Sequence, residues 1–236
     1  MAYGAKILGT GMYHPPREVS NHDLAGLVET SDEWIEQRSG IKTRRFVDPG
    51  VSTSDLALEA SKEALEQAGM TSDDLDMILV ASFTPDHFSP GVSSFLHDKL
   101  GCAMTPAMDL RVQCTGFVYA LKTAHAFIAA GQYERILVVG AEVHSNGLEF
   151  TNRGRDTMVL FGDGAGAVIL EANDDKDNTR GLLASKLYSN GKYNNLLYVN
   201  GGVSSSKESG HIVMQGREVF KHAVSKLVDA SLETLK

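Results

Sequence analysis

A short apolar segment that runs directly into a long stretch of small and apolar residues constrains this chain more than any other feature. Residues 105–110 have the composition of a buried strand, and residues 115–130 contain no helix breaker before Gly131. Cys114 lies where the predicted strand gives way to the predicted helix. The unpaired N–H groups and the positive end of a helix dipole favour the thiolate form of a cysteine in this position.

The predicted helix is interrupted by few polar side chains, so we expect it to be buried on most of its surface. These polar residues are Lys122, Thr123 and His125. A dipole in a dry interior is screened less than one on a surface, which would strengthen its effect on Cys114. An isolated cysteine is, however, more often a small core residue than a nucleophile. Position alone therefore leaves both interpretations of Cys114 open.

The bulk composition excludes several classes of function. The 236 residues carry a formal charge of −8, with 42% hydrophobic and 22% charged residues, as in ordinary soluble domains. No basic run suits nucleic acid, no apolar run has transmembrane length, and the N-terminus lacks a secretion signal. We expect a cytoplasmic protein that binds neither nucleic acid nor a membrane.

The cysteines and histidines argue against a disulfide framework and a metal site. Cys102 and Cys114 are the only two cysteines, and a reducing compartment suits a working thiolate. The eight histidines are scattered and show no metal-ligand spacing, so we predict no metal.

Strand and helix signals alternate from the start of the chain to about Leu170, which indicates an α/β layered fold with a mainly parallel sheet. Residues 76–82 and 136–140 are continuous apolar strands, as expected where a sheet is covered on both faces. Ser52 and Asp55 have the spacing of a capping box for a helix that Gly69 ends. One face of that helix predicts a closely packed neighbour because it carries Ala57, Ala60, Ala64 and Ala68.

The later part of the chain is more polar. Residues 171–178 are charged and form the best internal boundary, which gives predicted domains of residues 1–171 and 179–236. We predict a strand over residues 181–188, a loop over 188–210 and a helix from Met214 onward. One face of this last helix is apolar and carries Val219, Phe220, Val224, Leu227 and Val228.

Five segments in order along the chain form one set of motifs. They are TSDEWI (30–35), RSGI (38–41), DL with CTGF and YAL (109–121), FGDGAGA (161–167) and MQGREVFK (214–221). This set resembles the β-ketoacyl-acyl-carrier-protein synthase III family, thiolase-fold condensing enzymes that load an acyl group from coenzyme A onto a cysteine. Because the resemblance spans nearly the whole chain, it favours Cys114 as the nucleophile.

The resemblance implies a thiolase-like layered α/β fold of two similar βα halves. The first half would be residues 1–171 with the nucleophile, and residues 179–236 would begin a second half that is incomplete in this chain. It also implies a homodimer that buries a sheet edge near residues 136–143. Acyl-coenzyme A would be a substrate, and no cofactor is implied.

The resemblance further implies binding roles for four residues. Trp34 would stack on the adenine of coenzyme A, with Arg38 and Arg155 near the same nucleotide. Lys221 would help dock the acidic acyl carrier protein, although the overall charge of −8 opposes such docking and requires the basic patch to be local. The alternatives are a core or rim tryptophan and solvated surface arginines.

The glycine-rich segment 161–167 is not a phosphate loop. It lacks the Lys-Ser/Thr pair of that motif and precedes a predicted strand instead of a helix. We expect its glycines to allow close backbone approach near the thiol.

The sequence departs from the family pattern in one important respect. Family members carry a catalytic His in a His-Gln-Ala-Asn-type segment and an Asn in a Gly-Asn-Thr-Ser-type segment, and neither segment occurs here. Those side chains meet the negative charge on the enolate formed during decarboxylation, so we expect condensation to be largely lost without them. The expectation is a chain cut from a longer enzyme.

Two alternative functions stay open at this point. Val112, Gln113 and Thr115 replace smaller residues that are common in the family, which would suit a related enzyme of secondary metabolism. Such relatives condense long acyl chains, transfer acyl groups or make polyketides and quinolones. The other alternative is an inactive chain that binds a partner.

Overall fold

The computed structural model describes residues 4–173, 181–206 and 209–236, and strands and helices alternate through most of them. The strands are β1 (Gly4–Tyr13), β2 (Glu18–Ser20), β3 (Thr43–Arg45), β4 (Met77–Ala81), β5 (Ala107–Leu110), β6 (Arg135–Glu142), β7 (Gly164–Asn173), β8 (Leu197–Gly201) and β9 (Ser209–Met214). The helices are α1 (Asn21–Ala25), α2 (Asp32–Ser39), α3 (Thr53–Ala68), α4 (Val92–Lys99), α5 (Gly116–Ala129), α6 (Arg155–Met158) and α7 (Gly216–Thr234).

The described residues form two units. The first unit contains residues 4–15, 47–143, 164–173 and 181–185, and the second contains residues 16–46, 144–163, 186–206 and 209–236. Most of the predicted linker, residues 174–178, lies outside the described residues. The predicted division into a half of residues 1–171 and a half of residues 179–236 therefore stays a prediction.

The first unit is built on a five-stranded sheet with the order β1-β7-β6-β4-β5. β4 pairs in parallel with β5 and β6, whereas β7 pairs antiparallel with β6 and β1. The α/β class is confirmed, but the prediction of a mainly parallel sheet is wrong because half of the pairings are antiparallel. β6 has partners on both sides, so the expected sheet edge near residues 136–143 is also wrong, and the outer strands are β1 and β5.

The central strand β4 is buried along its whole length. Each of its five residues is at most 5% exposed, which confirms the prediction from the continuous apolar run. Ile78 and Val80 pack in the core beneath α3 and α4, and Met77 and Leu79 pack in the core beneath α5. Successive side chains of a strand point to opposite faces, so this one strand contributes to two cores.

Strand β1 is the neighbour that the alanine-rich face of α3 predicted. A Cβ built on Gly9 would lie 2.2 Å from the carbonyl oxygen of Ala64, and one built on Gly11 would lie 2.1 Å from that of Ala60. Only glycine permits so close an approach of strand and helix. The helix boundaries are confirmed as well, because Ser52 and Asp55 form the capping box and Gly69 adopts a left-handed φ of 66°.

Helix α5 buries one stripe instead of most of its surface. The buried residues recur at every fourth position, and they are Gly116, Ala120, Ala124 and Ile128. Val118, on another face, is 46% exposed. The prediction of a largely buried helix is therefore wrong, because only the side of α5 that meets the sheet is covered.

The second unit contains elements that the sequence analysis missed. Residues 181–188 form no strand, which contradicts the prediction, and the predicted loop contains β8 and the start of β9, an antiparallel pair. Helix α7 is confirmed over 19 residues, but its apolar face is open, with Phe220 72% and Leu227 68% exposed. Within the described ranges, no helix has both the length and the apolar character needed to cross a bilayer.

The approach of β1 to α3 is testable by adding one methyl group. We expect Gly11→Ala to lower the free energy of unfolding by about 1–3 kcal/mol, because the new Cβ must push strand and helix apart. Gly147→Ala is the matched control, since a Cβ there meets nothing within 4 Å. Urea unfolding of both variants measures the difference, and equal stabilities would contradict the close packing described here.

Candidate active site

The carboxyl ends of three parallel strands meet at one edge of the first unit's sheet. β5 ends at Leu110, β4 at Ala81 and β6 at Glu142, and the polypeptide turns away from the sheet after each of them. Cys114 follows β5 by four residues at this edge. In open α/β sheets this edge is where ligands bind, so the predicted nucleophile lies in a suitable place.

Cys114 lies in a tight turn between β5 and α5. The turn is a short 3-10 helix, Gln113–Thr115, and the thiol is free and exposed. Gln113 has a φ of 48°, in the left-handed region that a residue with a side chain rarely adopts, at a cost of about 1–3 kcal/mol. The Thr115 hydroxyl donates a hydrogen bond to the Val112 carbonyl (3.0 Å) and closes the turn.

The start of α5 lies close against the strand ends. A Cβ built on Gly116 would be 3.0 Å from the Cβ of Ala81, the last residue of β4. A Cβ built on Gly140 in β6 would be 3.2 Å from the Phe117 ring. The glycines therefore let the first turn of α5 approach β4 and β6 directly, and Cys114 lies two residues before that turn begins.

Asp109, part of the predicted nucleophile motif, anchors β5 to helix α4. Its carboxylate accepts hydrogen bonds from the backbone N–H of Ser93 (3.1 Å) and from the Ser93 hydroxyl. A Cβ built on Gly91 would lie only 2.2 Å from the same carboxylate. A carboxylate at a helix N-terminus is stabilised by the first-turn N–H groups, so Asp109 holds the nucleophile strand in place.

Glu142 is a partly buried carboxylate at this edge that the sequence analysis missed. It accepts hydrogen bonds from the Thr84 hydroxyl (2.6 Å) and from the backbone N–H of Phe83 (3.1 Å), so it fixes the segment that follows β4. Burial raises the pKa of Glu142, and these hydrogen bonds oppose the rise. The available signal was a charged residue directly after the apolar run of β6.

The second unit brings three of the predicted residues together. The guanidinium carbon of Arg38 lies 4.4 Å from the centre of the Trp34 ring, and that of Arg155 lies 4.7 Å from it. Both distances are inside the range of about 6 Å for cation–π attraction. Trp34 is partly buried and packs against the hydrophobic core of this unit, so one part of the ring is fixed while another part meets the arginines.

Local capping and backbone contacts hold these side chains. The Ser31 hydroxyl accepts a hydrogen bond from the Trp34 backbone N–H (3.1 Å), so Ser31 caps the start of α2. Arg155 Nη1 donates to the Glu29 carbonyl (3.2 Å), and the Glu29 N–H donates to Asn152 Oδ1 (2.8 Å). The segment that carries Arg155 is thus tied on both sides to the loop before α2.

Lys221 lies on α7 in the second unit. Its side chain is exposed, and Arg217, one turn earlier, is exposed as well. Over the described residues Lys221 forms no ion pair, and no group of three or more His, Cys, Asp or Glu side chains could hold a metal ion. Cys114 belongs to the first unit, whereas Trp34, Arg38, Arg155 and Lys221 belong to the second.

Comparison with known proteins assigns the family. Residues 108–191 match the model of 3-oxoacyl-[acyl-carrier-protein (ACP)] synthase III. The chain is 47% identical over 236 residues to beta-ketoacyl-[acyl-carrier-protein] synthase III of Dinoroseobacter shibae, covering 99% of this chain and 72% of that protein. It is also 47% identical to the protein of that name from Rhodobacter capsulatus, over 98% of this chain and 71% of the relative. The chain belongs to the 3-oxoacyl-ACP synthase III family.

Solved structures of the synthase III family confirm the thiolase-like fold. The enzyme from Aquifex aeolicus VF5 superimposes with a TM-score of 0.89 at 38% identity, over 98% of this chain and 71% of that one. The enzyme from Pseudomonas aeruginosa PAO1 gives a TM-score of 0.90 at 34% identity, over 98% and 70%. As a synthase III, the chain is a condensing acyltransferase of the type that initiates fatty acid synthesis.

The two cysteines of this synthase III are expected to differ sharply in reactivity. Cys114 is exposed, whereas Cys102 is partly buried and its burial raises the pKa of its thiol. We expect iodoacetamide at pH 7.5 to alkylate Cys114 at least about tenfold faster than Cys102, as followed by peptide mass spectrometry. Cys102 is the internal control, and faster labelling of Cys102 would contradict the assignment of Cys114 as the reactive thiol.

Proposed function

We propose that Cys114 accepts an acyl group from an acyl-coenzyme A and that this group is then joined, with loss of carbon dioxide, to malonyl carried on acyl carrier protein. The observation that carries the proposal is the free, exposed Cys114 thiol in a strained turn at the carboxyl edge of the parallel strands. Coenzyme A enters as part of a substrate, so the reaction needs no cofactor.

The first half-reaction is a thioester exchange. The Cys114 thiolate attacks the acyl carbonyl carbon, a sulfur–carbon bond forms, and the carbonyl oxygen becomes an oxyanion. Collapse of this intermediate breaks the bond to coenzyme A, whose thiolate leaves and takes a proton. The Gly116 N–H already donates to the Gln113 carbonyl, so the proposed donors for the oxyanion are the first-turn N–H groups of α5 that follow it. The cap residue Thr115 directs its hydroxyl to Val112 and caps none of them.

The second half-reaction needs further donors. Loss of carbon dioxide from malonyl leaves negative charge on an enolate oxygen, which hydrogen-bond donors must stabilise. None of the residues that we place in the site supplies such a donor for the enolate. The residues assigned here therefore account for formation of the acyl-enzyme, and one thiol that serves both half-reactions implies ping-pong order.

The nucleotide end of coenzyme A is proposed to bind at Trp34. A base is flat and stacks on an indole, and a guanidinium stacks on either ring while its charge attracts phosphate. Arg38 and Arg155 already lie against Trp34, so one of them must move off the ring to admit adenine. The guanidinium that moves then contacts the base or the phosphates, and this new contact replaces its cation–π contact with Trp34.

Acyl carrier protein is proposed to dock on the exposed basic pair Arg217 and Lys221. The two side chains are four residues apart on α7, so they project from one side of the helix. A local positive patch on a chain of net charge −8 steers an acidic partner to one place.

We also propose a homodimer, for which β5, an outer strand of the sheet, offers the pairing edge.

Acylation of Cys114 is the direct test of this function. Incubation with acetyl-coenzyme A is expected to add one acetyl group to Cys114, detected by mass spectrometry of the intact protein and of its peptides. Cys114→Ala should show no adduct, and Cys102→Ala should react like the native protein. An unmodified Cys114 in folded protein at millimolar acetyl-coenzyme A would overturn the proposal.

The nucleotide site is tested by removing the stacking surface. Trp34→Ala is expected to raise the acetyl-coenzyme A concentration that half-saturates acylation by about ten- to a hundredfold, because stacking of a base on an aromatic ring contributes about 1–3 kcal/mol. The maximal acylation rate should be unchanged. Phe150→Ala, which removes another partly exposed aromatic ring of the same unit, is the control and should leave half-saturation near the native value.

The carrier-protein patch is tested by reversing its charge. Lys221→Glu is expected to raise the KM for malonyl-acyl carrier protein about tenfold at low salt and to leave half-saturation by acetyl-coenzyme A unchanged. The difference should shrink as salt is added, since screening weakens exposed charges. Lys192→Glu is the matched control, and an equal effect of both variants would show that net charge, not this patch, matters.

A further inference from the structure

A buried hydrogen-bond network lies beneath the Trp34 site. Two buried residues form its centre. Arg44 is 5% exposed and Asn21 is 1% exposed. Arg44 Nη2 donates to Asn21 Oδ1 at 2.7 Å, so the two side chains are directly joined. Burial of two such polar groups is costly unless their hydrogen bonds are made, so the contacts they make define their role.

Arg44 binds neutral oxygen atoms on separate segments. Its Nη1 donates to the Val19 carbonyl (3.1 Å) and its Nη2 donates to the Val159 carbonyl (3.2 Å). Within the described residues, Arg44 forms no salt bridge. The planar guanidinium therefore acts as a rigid fork that sets distances between segments, a task for which a lysine ammonium is a poor substitute.

Each end of the network leads to one of the arginines at Trp34. Val159 caps the carboxyl end of α6, and its N–H returns to the carbonyl of Arg155 at 3.4 Å. At the other end, Asn21 Nδ2 donates to Asp32 Oδ1 (2.8 Å), and Asp32 is the first residue of α2, which carries Trp34 and Arg38. The same amide also donates to the Ile41 carbonyl (2.8 Å), just beyond the end of α2.

We infer that Asn21 and Arg44 are positioning residues that hold α2 and α6 in register, so that Arg38 and Arg155 meet on Trp34. This inference rests on the proposed function for the use of that site by coenzyme A. The two residues touch neither Trp34 nor the arginines in the described contacts; they act by fixing the ends of the helices that carry them. The two helices are thereby in register before any ligand arrives, so binding requires one guanidinium side chain to move and no helix, which lowers the ordering cost of binding.

Asn21→Asp and Arg44→Lys are the test variants, because each keeps part of the network. Asn21→Asp keeps the acceptor for Arg44 but places a second carboxylate beside Asp32 Oδ1 in place of a donor. Arg44→Lys keeps the charge but loses the fork. Ser145→Ala is the control, since it removes a different buried hydrogen bond of the same unit, from the Ser145 hydroxyl to Asp163.

The first measurement needs no ligand. Trp34 is the only tryptophan, so intrinsic fluorescence and its quenching by acrylamide report on this one ring. We expect the quenching constant to rise about twofold in both test variants, because the guanidinium groups no longer cover the indole. Ser145→Ala should quench like the native protein. Native quenching in both test variants, or an equal rise in Ser145→Ala, overturns the inference.

The second measurement uses coenzyme A in calorimetry and acetyl-coenzyme A in the acylation assay. Both variants should bind coenzyme A about ten- to a hundredfold more weakly. The acetyl-coenzyme A concentration that half-saturates acylation should rise by the same factor, with the maximal rate of Cys114 acylation unchanged. In a Trp34→Ala background, Asn21→Asp should weaken binding by less than about twofold, since the ring it positions is gone. Full additivity of the two effects would overturn the inference.

The two measurements separate the inference from the proposed function. If native protein fails to bind coenzyme A while Asn21→Asp alters quenching of Trp34, the nucleotide assignment is wrong and the positioning role stands. If native protein binds coenzyme A through Trp34 while both variants keep native quenching and affinity, the proposed function stands and the positioning role is wrong.

Discussion

The parallel pairing of β4 with strands on both sides is the constraint on which the nucleophile's position depends. Because β4 is buried along its length, it cannot shift without exposing two cores at once. Parallel strands end at the same edge, so the polypeptide leaves β4, β5 and β6 within one region of the first unit. Cys114 is exposed there by a turn in which Gln113 has a strained backbone conformation. The close packing around Gly116 and Asp109 holds the turn in that conformation.

The second unit places the positive charges of two arginines on one tryptophan ring. Arg38 and Arg155 would repel one another in isolation, and the Trp34 ring offers both a favourable contact. The buried hydrogen bonds of Arg44 and Asn21 keep the helices that carry Arg38 and Arg155 in place, and within the described residues they do so without a salt bridge to Arg44. An anionic nucleotide is the ligand class that would relieve the repulsion, which agrees with the function proposed for this synthase III.

Local sequence signals predicted where helices begin and end, but they did not predict how strands pair or which helix faces are buried. The capping box at Ser52 and Asp55 could be predicted because its hydrogen bonds join residues three apart in the sequence. The orientation of β7 and the exposure of α5 could not, since each depends on neighbours far along the chain. Glu142 was missed for the same reason, because its partners Phe83 and Thr84 follow another strand. The pair of β8 and β9 is local, and it was missed because its glycine- and serine-rich segment shows no sustained strand periodicity.

The sequence by itself determined the candidate chemistry: a single cysteine before a breaker-free helix, one tryptophan with an arginine four residues on, and motifs specific enough to name the family. It also determined which face of α3 packs closely against a neighbour, because small alanine side chains let another element approach the helix backbone. Only the tertiary structure decided that Arg155 joins Arg38 at Trp34 and that Asn21 and Arg44 connect their helices. The physical reason is that such contacts are made by burial and hydrogen bonding between segments remote in sequence, where no local pattern records the partner.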